Sequence, residues 1–226
     1  MKDDRTWQGF VPWIYEKCTS FRKNRFARFL KELSPKSGEQ IVDLGGEPEF
    51  WKSATIKYEV HCINLDKIDY DADEYEVNLR TSAGDCCELI DEQSNSYDLV
   101  FSNSVIEHVG DFDRQKKFAD TALRLGKKLW IQTPARCFPI EPHWFALFIH
   151  WFPKKYQYSL FRLFALRQRL AGVKLTESEV KAQVDDVRLM TKRELKKIFP
   201  KCKIITERFL FIPKSYIVIR KDYESK

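Results

Sequence analysis

Two acidic residues and a pair of glycines have the types and spacing of a nucleoside-binding site. Asp43 lies in a short apolar run and is followed by Leu44, Gly45 and Gly46, and glycines in such a turn let the backbone approach a ligand closely. Asp66 closes the next apolar run. An acid at that place accepts hydrogen bonds from ribose hydroxyls in α/β folds that bind nucleosides. The pattern therefore predicts a bound nucleoside.

The acidic residues of the glycine turn select among nucleoside cofactors. Glu47 and Glu49 follow the glycines, whereas a pyrophosphate-binding turn normally has the pattern G-x-G-x-x-G and a helix N-terminus without acids. The Walker pattern of a nucleoside triphosphate site is absent from the sequence as well. A cofactor without phosphate, carrying a positive sulfonium and a positive ammonium, suits this turn far better. These are the features of S-adenosylmethionine, which we predict as the cofactor.

Two histidines have positions suited to proton transfer. His108 follows Glu107 after the fourth apolar run, and His143 lies in the segment after the fifth. If the methyl acceptor is a hydroxyl, a base must remove its proton, and an imidazole does so near neutral pH. We therefore predict His108 and His143 as catalytic residues. For His108 a purely structural role, as a hydrogen-bonded histidine at the start of a helix, is an equal alternative.

The segment after the fifth apolar run also carries groups suited to an acidic substrate. Arg136 can bind a carboxylate or a phosphate through two parallel hydrogen bonds. An ion pair between Arg136 and Glu141 is the alternative. We predict substrate contacts for Arg136 and Glu141, and also for Glu107 beside His108.

Five short apolar runs, separated by helical patterns, must position these residues. The runs end near Leu44, Leu65, Leu79, Asn103 and Thr133. Near-continuous apolar strands that alternate with helices predict a mostly parallel sheet covered on both faces, an α/β, Rossmann-like, doubly wound fold. Residues 203–220 predict two further strands joined by a short turn, hence antiparallel neighbours. In such sheets ligands bind outside the carboxyl ends of the strands.

The stretch between the fifth strand and residue 190 has no strand partner in this plan and is rich in aromatic residues. Ten of the 28 residues from Phe138 to Ala165 are Phe, Trp or Tyr. We predict a helical, aromatic-rich cap inserted after strand 5, at about 134–190. Its basic and amphipathic part, 144–169, is typical of a peripheral membrane contact or of a cover for an apolar substrate, and packing as core is the commoner alternative.

Composition and charge limit the classes of protein. Of the 226 residues, 43% are hydrophobic and 32% are charged, which excludes a disordered or fibrous chain. The net charge of +6 hides a split, because residues 1–126 balance to −7 and residues 127–226 to +13. The six cysteines lack the spacing of a zinc site. Since no secretory leader or membrane span is recognisable, we expect a cytoplasmic protein, with membrane association through 144–169 as an option.

Five segments together resemble the class I S-adenosylmethionine-dependent methyltransferases, in particular the methyltransferase type 11 group. The resemblance covers about Ser37 to the end of the sequence, and its strongest piece ends in the tetrapeptide I-E-H-V. The segments are Ile41–Gly46, Ile63–Asp66, Gly84–Cys86, Tyr97–Val109 and Leu189–Leu195. The resemblance implies a seven-stranded sheet whose last strand is antiparallel, in agreement with the strand pair predicted above.

The resemblance also implies roles for the residues of the first two turns. Asp43, Gly45 and Gly46 would line the methionine moiety of the cofactor, and Asp66 would bind its ribose. The turn itself departs from the family, which usually shows a G-x-G pattern where this chain has G-G-E-P.

In the later segments the resemblance implies further cofactor contacts. Asp85 would meet the adenine amino group, with Cys86 beside it, and the backbone around Ser102 and Asn103 would face the methionine end. In quinone-biosynthesis O-methyltransferases, which share the fourth-strand segment, an E-x-x-E-H arrangement can hold a divalent metal. Here Ser104 changes the pattern to S-x-x-E-H, so we predict no metal site.

These observations predict a methyltransferase of the EC 2.1.1 class that moves a methyl group from S-adenosylmethionine to a small or lipid-linked acceptor, with O-methylation favoured. Residues 1–36 are predicted as an N-terminal helical segment and 37–226 as the methyltransferase domain. The alternatives are a binding or scaffold protein that keeps the fold without turnover and, less favoured, a nucleic-acid methyltransferase. The sequence has no recognisable nucleic-acid-binding motif, so nucleic acid is not an expected partner. No Tyr is followed by Lys four residues later, which excludes a short-chain oxidoreductase.

Overall fold

The structure is a computed structural model that describes residues 25–164, 172 and 175–222. These residues divide into two compact units, each with buried apolar residues of its own. The sheet unit comprises 33–138 and 186–222. The aromatic unit comprises 25–32 and the described part of Pro139–Asp185.

The described residues form nine strands. In chain order they are β1 (Gln40–Leu44), β2 (Glu59–Asn64), β3 (Asn78–Ala83), β4 (Tyr97–Asn103), β5 (Gly126–Pro134), β6 (Ile140–Glu141), β7 (Ala146–Leu147), β8 (Lys203–Phe209) and β9 (Ile212–Arg220). Seven make one sheet in the sheet unit, in the order β3-β2-β1-β4-β5-β9-β8. β1 to β5 pair in parallel, β9 is antiparallel to β5, and β8 is antiparallel to β9. The predicted seven-stranded sheet with an antiparallel last strand is confirmed.

Five α-helices accompany the strands in the described part of the chain. They are α1 (25–33), α2 (Phe112–Leu125), α3 (Lys154–Phe164), α4 (Glu177–Asp185) and α5 (Lys192–Ile198). In α1 the side chains of Phe26, Phe29 and Leu33 are buried, so one face of the helix is apolar and packed. The rest of the predicted N-terminal segment, residues 1–24, lies outside the described residues. No helix among the described residues has the length and apolar character needed to cross a membrane.

The core of the sheet unit lies between the central strands and α2. Val100 of β4 and Leu129 of β5 are fully buried and pack in one apolar cluster with Phe118 and Ala122 of α2. Each buried apolar side chain of this size contributes roughly 1.5–3 kcal/mol relative to exposure. α2 is held at its start by Asp111, whose carboxylate accepts a hydrogen bond from the Arg114 N–H at 2.9 Å.

The helix in the connection after β1 is shorter and more tightly wound than the sequence pattern predicts. Instead of a regular α-helix, the structure has a single 3₁₀ helix, Pro48–Ser53. Its capping position, Glu47, makes no side-chain cap hydrogen bond, and Ala54 already has an extended backbone. A short 3₁₀ helix, Ala72–Glu74, is the helical element between β2 and β3. The turns at this edge of the sheet therefore stay close to the strand ends.

A network around Arg188 joins the segment before α5 to the turn after β4. The guanidinium donates to Gln115 Oε1 at 2.6 Å and to Glu194 Oε1 at 2.5 Å, and it lies 5.3 Å from the centre of the Phe112 ring. Gln115, which is fully buried, donates in turn to the carbonyl oxygens of Ile106 and Arg188. The Arg188 N–H donates to the Glu107 carbonyl at 2.8 Å. Four segments are thereby fixed around one cation.

The aromatic unit packs around Trp144 and Phe161, whose ring centres are 5.2 Å apart in an edge-to-face arrangement. α3 and α4 contact each other, and Val180 and Val184 of α4 are buried. Residues 165–171, at the end of the predicted basic stretch, lie outside the described residues. Trp144 and Phe161 of the aromatic stretch therefore belong to the core of this unit. The sequence had left open whether the stretch packs as core, covers a substrate or contacts a membrane.

We expect Arg188→Ala to lower the free energy of unfolding by about 2–3 kcal/mol, because it removes charge-assisted hydrogen bonds and leaves the buried Gln115 oxygen unsatisfied. Arg193→Ala is the matched control, because Arg193 is an exposed residue of α5. Its loss should change the free energy of unfolding by less than about 0.5 kcal/mol. Urea unfolding of the three proteins measures the difference. Equal effects of the two substitutions would contradict the network's role.

Candidate active site

A cleft of about 240 Å³ opens at the carboxyl ends of β1 to β4. Its walls include Gly45 after β1, Asn64 at the end of β2, Asp85 and Cys86 after β3, and His108 after β4. Leu65 on its rim is 72% exposed, so a ligand that enters the cleft can also extend into solvent. This is the place where ligands bind in open α/β sheets.

Gly45 sets the width of the cleft at its narrow end. Its φ is +72°, in the left-handed region, and its N–H donates to the Ile63 carbonyl at 2.7 Å. A Cβ on this residue would lie 2.4 Å from Val105 Cγ1. Since β-branched Val105 cannot easily move aside, only glycine brings the first turn this close to the fourth.

Asp43 is buried beneath the turn and is not among the residues that line the cleft. Its Oδ2 accepts a hydrogen bond from Trp51 Nε1 at 2.9 Å, and a Cβ on Gly46 would come within 1.9 Å of the same oxygen. Burial raises the pKa of Asp43 to about 7, although the hydrogen bond from Trp51 opposes the shift. In this structure Asp43 and Gly46 shape the turn, and their predicted contact with the methionine moiety stays a prediction.

Asp66 lies two residues beyond the end of β2 and is exposed. Asn64 and Leu65 line the cleft at this point, whereas Asp66 is not part of the lining. The Asn64 side chain accepts from the Leu65 N–H at 3.0 Å, which gives the end of β2 a fixed polar group. The predicted ribose contact of Asp66 therefore stays a prediction, and Asn64 is a lining residue that the sequence reasoning missed.

Asp85 and Cys86 both line the cleft, as the resemblance implied. Asp85 Oδ1 accepts from the Cys87 N–H at 2.9 Å, and Asp85 Oδ2 pairs with Arg114 at 2.6 Å. Burial alone would raise the pKa of Asp85, but the hydrogen bonds from Arg114 and Cys87 outweigh it and lower the pKa below its usual value. The carboxylate is thus held ionised and fixed in direction. Burial raises the pKa of the Cys86 thiol to about 12, so it stays protonated.

Arg114 is a further lining residue that the sequence analysis did not single out. It lies in the first turn of α2, where a cation is unfavourable to the helix dipole. The position of Arg114 in the sequence could have indicated this role, because a cation in the first turn of a helix favours an acidic partner outside the helix. Asp85 and Glu88 supply it, Glu88 with an oxygen 3.3 Å from the guanidinium.

Ser102, Asn103 and Ser104 close the wall formed by β4. Ser102 is buried and donates to the Leu44 carbonyl at 2.8 Å, which ties β4 to the end of β1. Asn103 is the last residue of β4, and the cleft lining begins at the next residue, Ser104. The predicted backbone contacts of Ser102 and Asn103 are therefore placed beside the cleft, with Ser104 nearest to it.

His108 lines the cleft and is paired with an acid from a distant part of the sequence. Its Nδ1 lies 2.8 Å from Asp186 Oδ2. The neighbouring Glu107 is buried, and its carboxylate accepts a hydrogen bond from the Thr133 hydroxyl at 2.9 Å. Of these two predicted residues, His108 faces the cleft and Glu107 joins the turn after β4 to β5.

The remaining predicted residues fall in both units. In the sheet unit Arg136 is exposed, and its N–H donates to the Met190 carbonyl at 3.1 Å. In the aromatic unit Glu141 is fully buried, and its oxygens accept from His143 Nδ1 at 2.5 Å and from the Trp144 N–H at 2.7 Å. Glu141 thus orients His143, and this contact between the two residues was not predicted from the sequence. The substrate contacts of Arg136 and Glu141 and the catalytic role of His143 stay predictions.

A family model described as a methyltransferase domain matches residues 18–176. This is more than half of the chain, so the chain belongs to that methyltransferase family, and its predicted place among the class I S-adenosylmethionine-dependent methyltransferases is confirmed. The enzyme is a transferase. No protein with a curated description matches the chain by sequence.

Solved structures with TM-scores of 0.50 or more show the same fold at low sequence identity. A SAM dependent methyltransferase from Archaeoglobus fulgidus is 13% identical with a TM-score of 0.50, over 88% of this chain and 92% of that one. The PH0226 protein from Pyrococcus horikoshii is 11% identical with a TM-score of 0.51, over 96% and 98%. Phosphoethanolamine N-methyltransferase 2 from Haemonchus contortus, solved with S-adenosyl-L-methionine, is 17% identical with a TM-score of 0.46, over 81% of this chain. The match spans only 38% of that longer protein.

We expect the stability of this protein to fall as pH rises through the Asp43 titration. The pKa of Asp43 is raised in the folded protein to about 7, so the carboxyl is protonated there when it is already ionised in the unfolded chain. Its contribution is complete below about pH 4 and is lost as pH rises toward 7, with a slope of at most about 1.4 kcal/mol per pH unit. Asp43→Asn, which is neutral throughout, should lack this slope. Urea unfolding at pH 5 and pH 7 compares the two proteins, and parallel behaviour would contradict the expectation.

Proposed function

We propose that this enzyme transfers a methyl group from S-adenosylmethionine, held in the cleft of the sheet unit, to a hydroxyl oxygen of a small or lipid-linked acceptor. The observation that carries the proposal is the His108–Asp186 pair in the wall of the cleft. It places a base, already oriented by a carboxylate, beside the lining residues of the first three turns.

The residues of the cleft suit an adenosyl cofactor without phosphate. The Asp85 carboxylate, fixed by Arg114, keeps lone pairs that can accept from an amino group such as that of adenine. Asn64 offers a polar group at the end of β2, and Gly45 brings backbone close to the ligand. The six-residue 3₁₀ helix after β1 offers no long helix dipole for a pyrophosphate. When bound, the cofactor supplies a methyl group on a positive sulfonium.

His108 would remove the proton of the acceptor hydroxyl. A hydrogen bond from Nδ1–H to Asp186 leaves the lone pair of the imidazole on Nε2, which is the atom that takes the proton. With the cofactor bound, the deprotonated acceptor oxygen would be the nucleophile for the methyl group that the sulfonium supplies. Asp186 stabilises the imidazolium that results. The remaining task of the protein is to align the reactants and exclude water.

The aromatic unit supports an acceptor with an apolar part and a peripheral membrane contact. Phe148, Trp151, Phe152 and Tyr156 are between 43% and 50% exposed, and Leu163 is 61% exposed. Lys155 Nζ lies 4.8 Å from the Tyr156 ring centre, so a cation accompanies the aromatic face. Trp and Tyr beside Lys are typical of a membrane interface. Trp144, by contrast, is buried and belongs to the core of this unit.

We expect Asp85→Asn to weaken binding of S-adenosylhomocysteine by about tenfold or more, because the charge-assisted hydrogen bond to the ligand is lost. Glu88→Gln is the matched control, since Glu88 also pairs with Arg114 but does not line the cleft, and its binding should stay within about twofold. Isothermal titration measures both, and an Asp66→Ala variant tests the predicted ribose contact. Equal affinities of Asp85→Asn and wild type would count against this placement of the cofactor.

We expect His108→Gln to reduce kcat for a hydroxyl acceptor by about 100-fold or more while S-adenosylhomocysteine still binds. Asp186→Asn should reduce kcat by about tenfold and move the acidic limb of its pH profile. Release of S-adenosylhomocysteine is measured with alcohols, phenols, carboxylic acids and amines, each with and without a long alkyl chain. Turnover of a carboxylic acid alone, unchanged in His108→Gln, would refute the base. Cofactor binding without turnover of any acceptor would favour the binding or scaffold protein instead.

A further inference from the structure

The turn between β8 and β9 exposes four consecutive apolar residues in the sheet unit. Phe209 pairs with Ile212, so the turn itself consists of Leu210 and Phe211. Leu210 is 78% and Phe211 90% exposed, while Phe209 and Ile212 are 45% and 41% exposed. Single exposed apolar residues are normal on a protein surface, but a contiguous group at a hairpin tip marks an interaction site.

The backbone of this turn is as unusual as its exposure. Leu210 has a φ of +53°, in the left-handed region, where two-residue hairpin turns normally carry Asn, Asp or Gly. A bulky residue there costs on the order of 1 kcal/mol. Arg208 holds the turn by donating to the Phe211 carbonyl at 2.9 Å, and the Phe138 ring meets Phe209 edge to face at 6.4 Å. The apolar tip is thus built and held in place.

The charge around the tip favours an anionic partner. The cations next to the tip in the hairpin are Arg208 and Lys214, and the neighbouring acid is Glu207. The Glu207 carboxylate accepts a hydrogen bond from Ser215 within the hairpin. Arg208, next to the tip, is exposed. An apolar tip flanked by two cations, one on each strand, matches the interface of an anionic bilayer, where apolar side chains enter the acyl boundary and cations meet the headgroups.

The size of the tip also favours a bilayer over a protein. Four side chains are far fewer than the roughly 20 residues that a stable protein interface takes from each partner. A reversible membrane contact needs only a few inserted side chains together with electrostatic attraction. We propose that the β8–β9 tip, Phe209–Ile212, inserts into the interface of anionic lipid bilayers.

The strand directions give this contact a consequence for the cleft. β8 runs parallel to β5, because both pair antiparallel with β9, so β8 ends at the same edge of the sheet as β1 to β5. The tip and the cleft therefore share one edge, about four strand spacings apart, or roughly 20 Å. Insertion of the tip turns the mouth of the cleft toward the lipid headgroups. The meaning of this orientation for a lipid-linked acceptor rests on the proposed function, whereas the proposed membrane insertion of the tip does not.

Co-sedimentation with vesicles tests the proposal. The vesicles are three parts phosphatidylcholine to one part phosphatidylglycerol, with pure phosphatidylcholine as comparison, at about 0.1 M salt. Wild type should bind the anionic vesicles, and Phe211→Asp should weaken binding by about fivefold or more. Ile90→Asp is the matched control, because Ile90 is 85% exposed elsewhere in the sheet unit, and its binding should match wild type. Equal binding by Phe211→Asp and wild type would overturn the proposal.

A second variant separates membrane insertion from a structural role of the tip. Leu210→Asn places a residue that tolerates the left-handed region, so its melting temperature should equal or exceed that of wild type while vesicle binding falls. Trp151→Asp, in the aromatic unit, shows whether membrane binding belongs to that unit alone, in which case the tip proposal fails. A fall in oligomer size in Phe211→Asp with unchanged vesicle binding would identify a second copy of the chain as the partner and also overturn it. S-adenosylhomocysteine affinity should be unchanged in all tip variants.

Discussion

The parallel pairing of β1 with β4 is the constraint on which the site depends. β2 and β4 lie on opposite sides of β1, so the connections that leave β1 and β4 diverge and a crevice opens between them. The Ser102 hydroxyl fixes the two strand ends to each other at the Leu44 carbonyl. Because Gly45 carries no Cβ, the first turn lies against Val105, and the crevice has a closed inner end. Each cleft residue takes its position from this pairing.

The chemistry of the cleft depends on partners that come from far along the chain. Asp85 is ionised and directed because Arg114 faces it from α2, and His108 is oriented because Asp186 returns to the turn after β4. The segment that carries Asp186 is held in place two residues later, where Arg188 donates a hydrogen bond to the buried Gln115. The geometry of the cleft is therefore a property of the whole sheet unit, and it would respond to changes in α2 and in the segment before α5.

The positions of the strands along the chain were predictable from the sequence because near-continuous apolar runs mark them. Asp85, Cys86 and His108 line the cleft because residues just after parallel strands share one edge of the sheet, and their roles stay predictions. The burial of Asp43 against Trp51 was not predictable, because it depends on the 3₁₀ turn that replaces a regular helix. Asp186 and Asn64 were missed for a related reason: hydrophobic periodicity locates elements, but it does not show which polar side chains meet across them.

The order of assembly follows from the place of β9. β1 to β5 are contained in residues 40–134, yet the buried strand β5 gains its second neighbour only from Ile212–Arg220. Until that segment has been synthesised, β5 is an open apolar edge that other chains can pair with. The second part of the aromatic unit, Pro139–Asp185, is made in the interval. Such long-range closure slows folding and leaves an unpaired strand edge exposed in the incomplete chain.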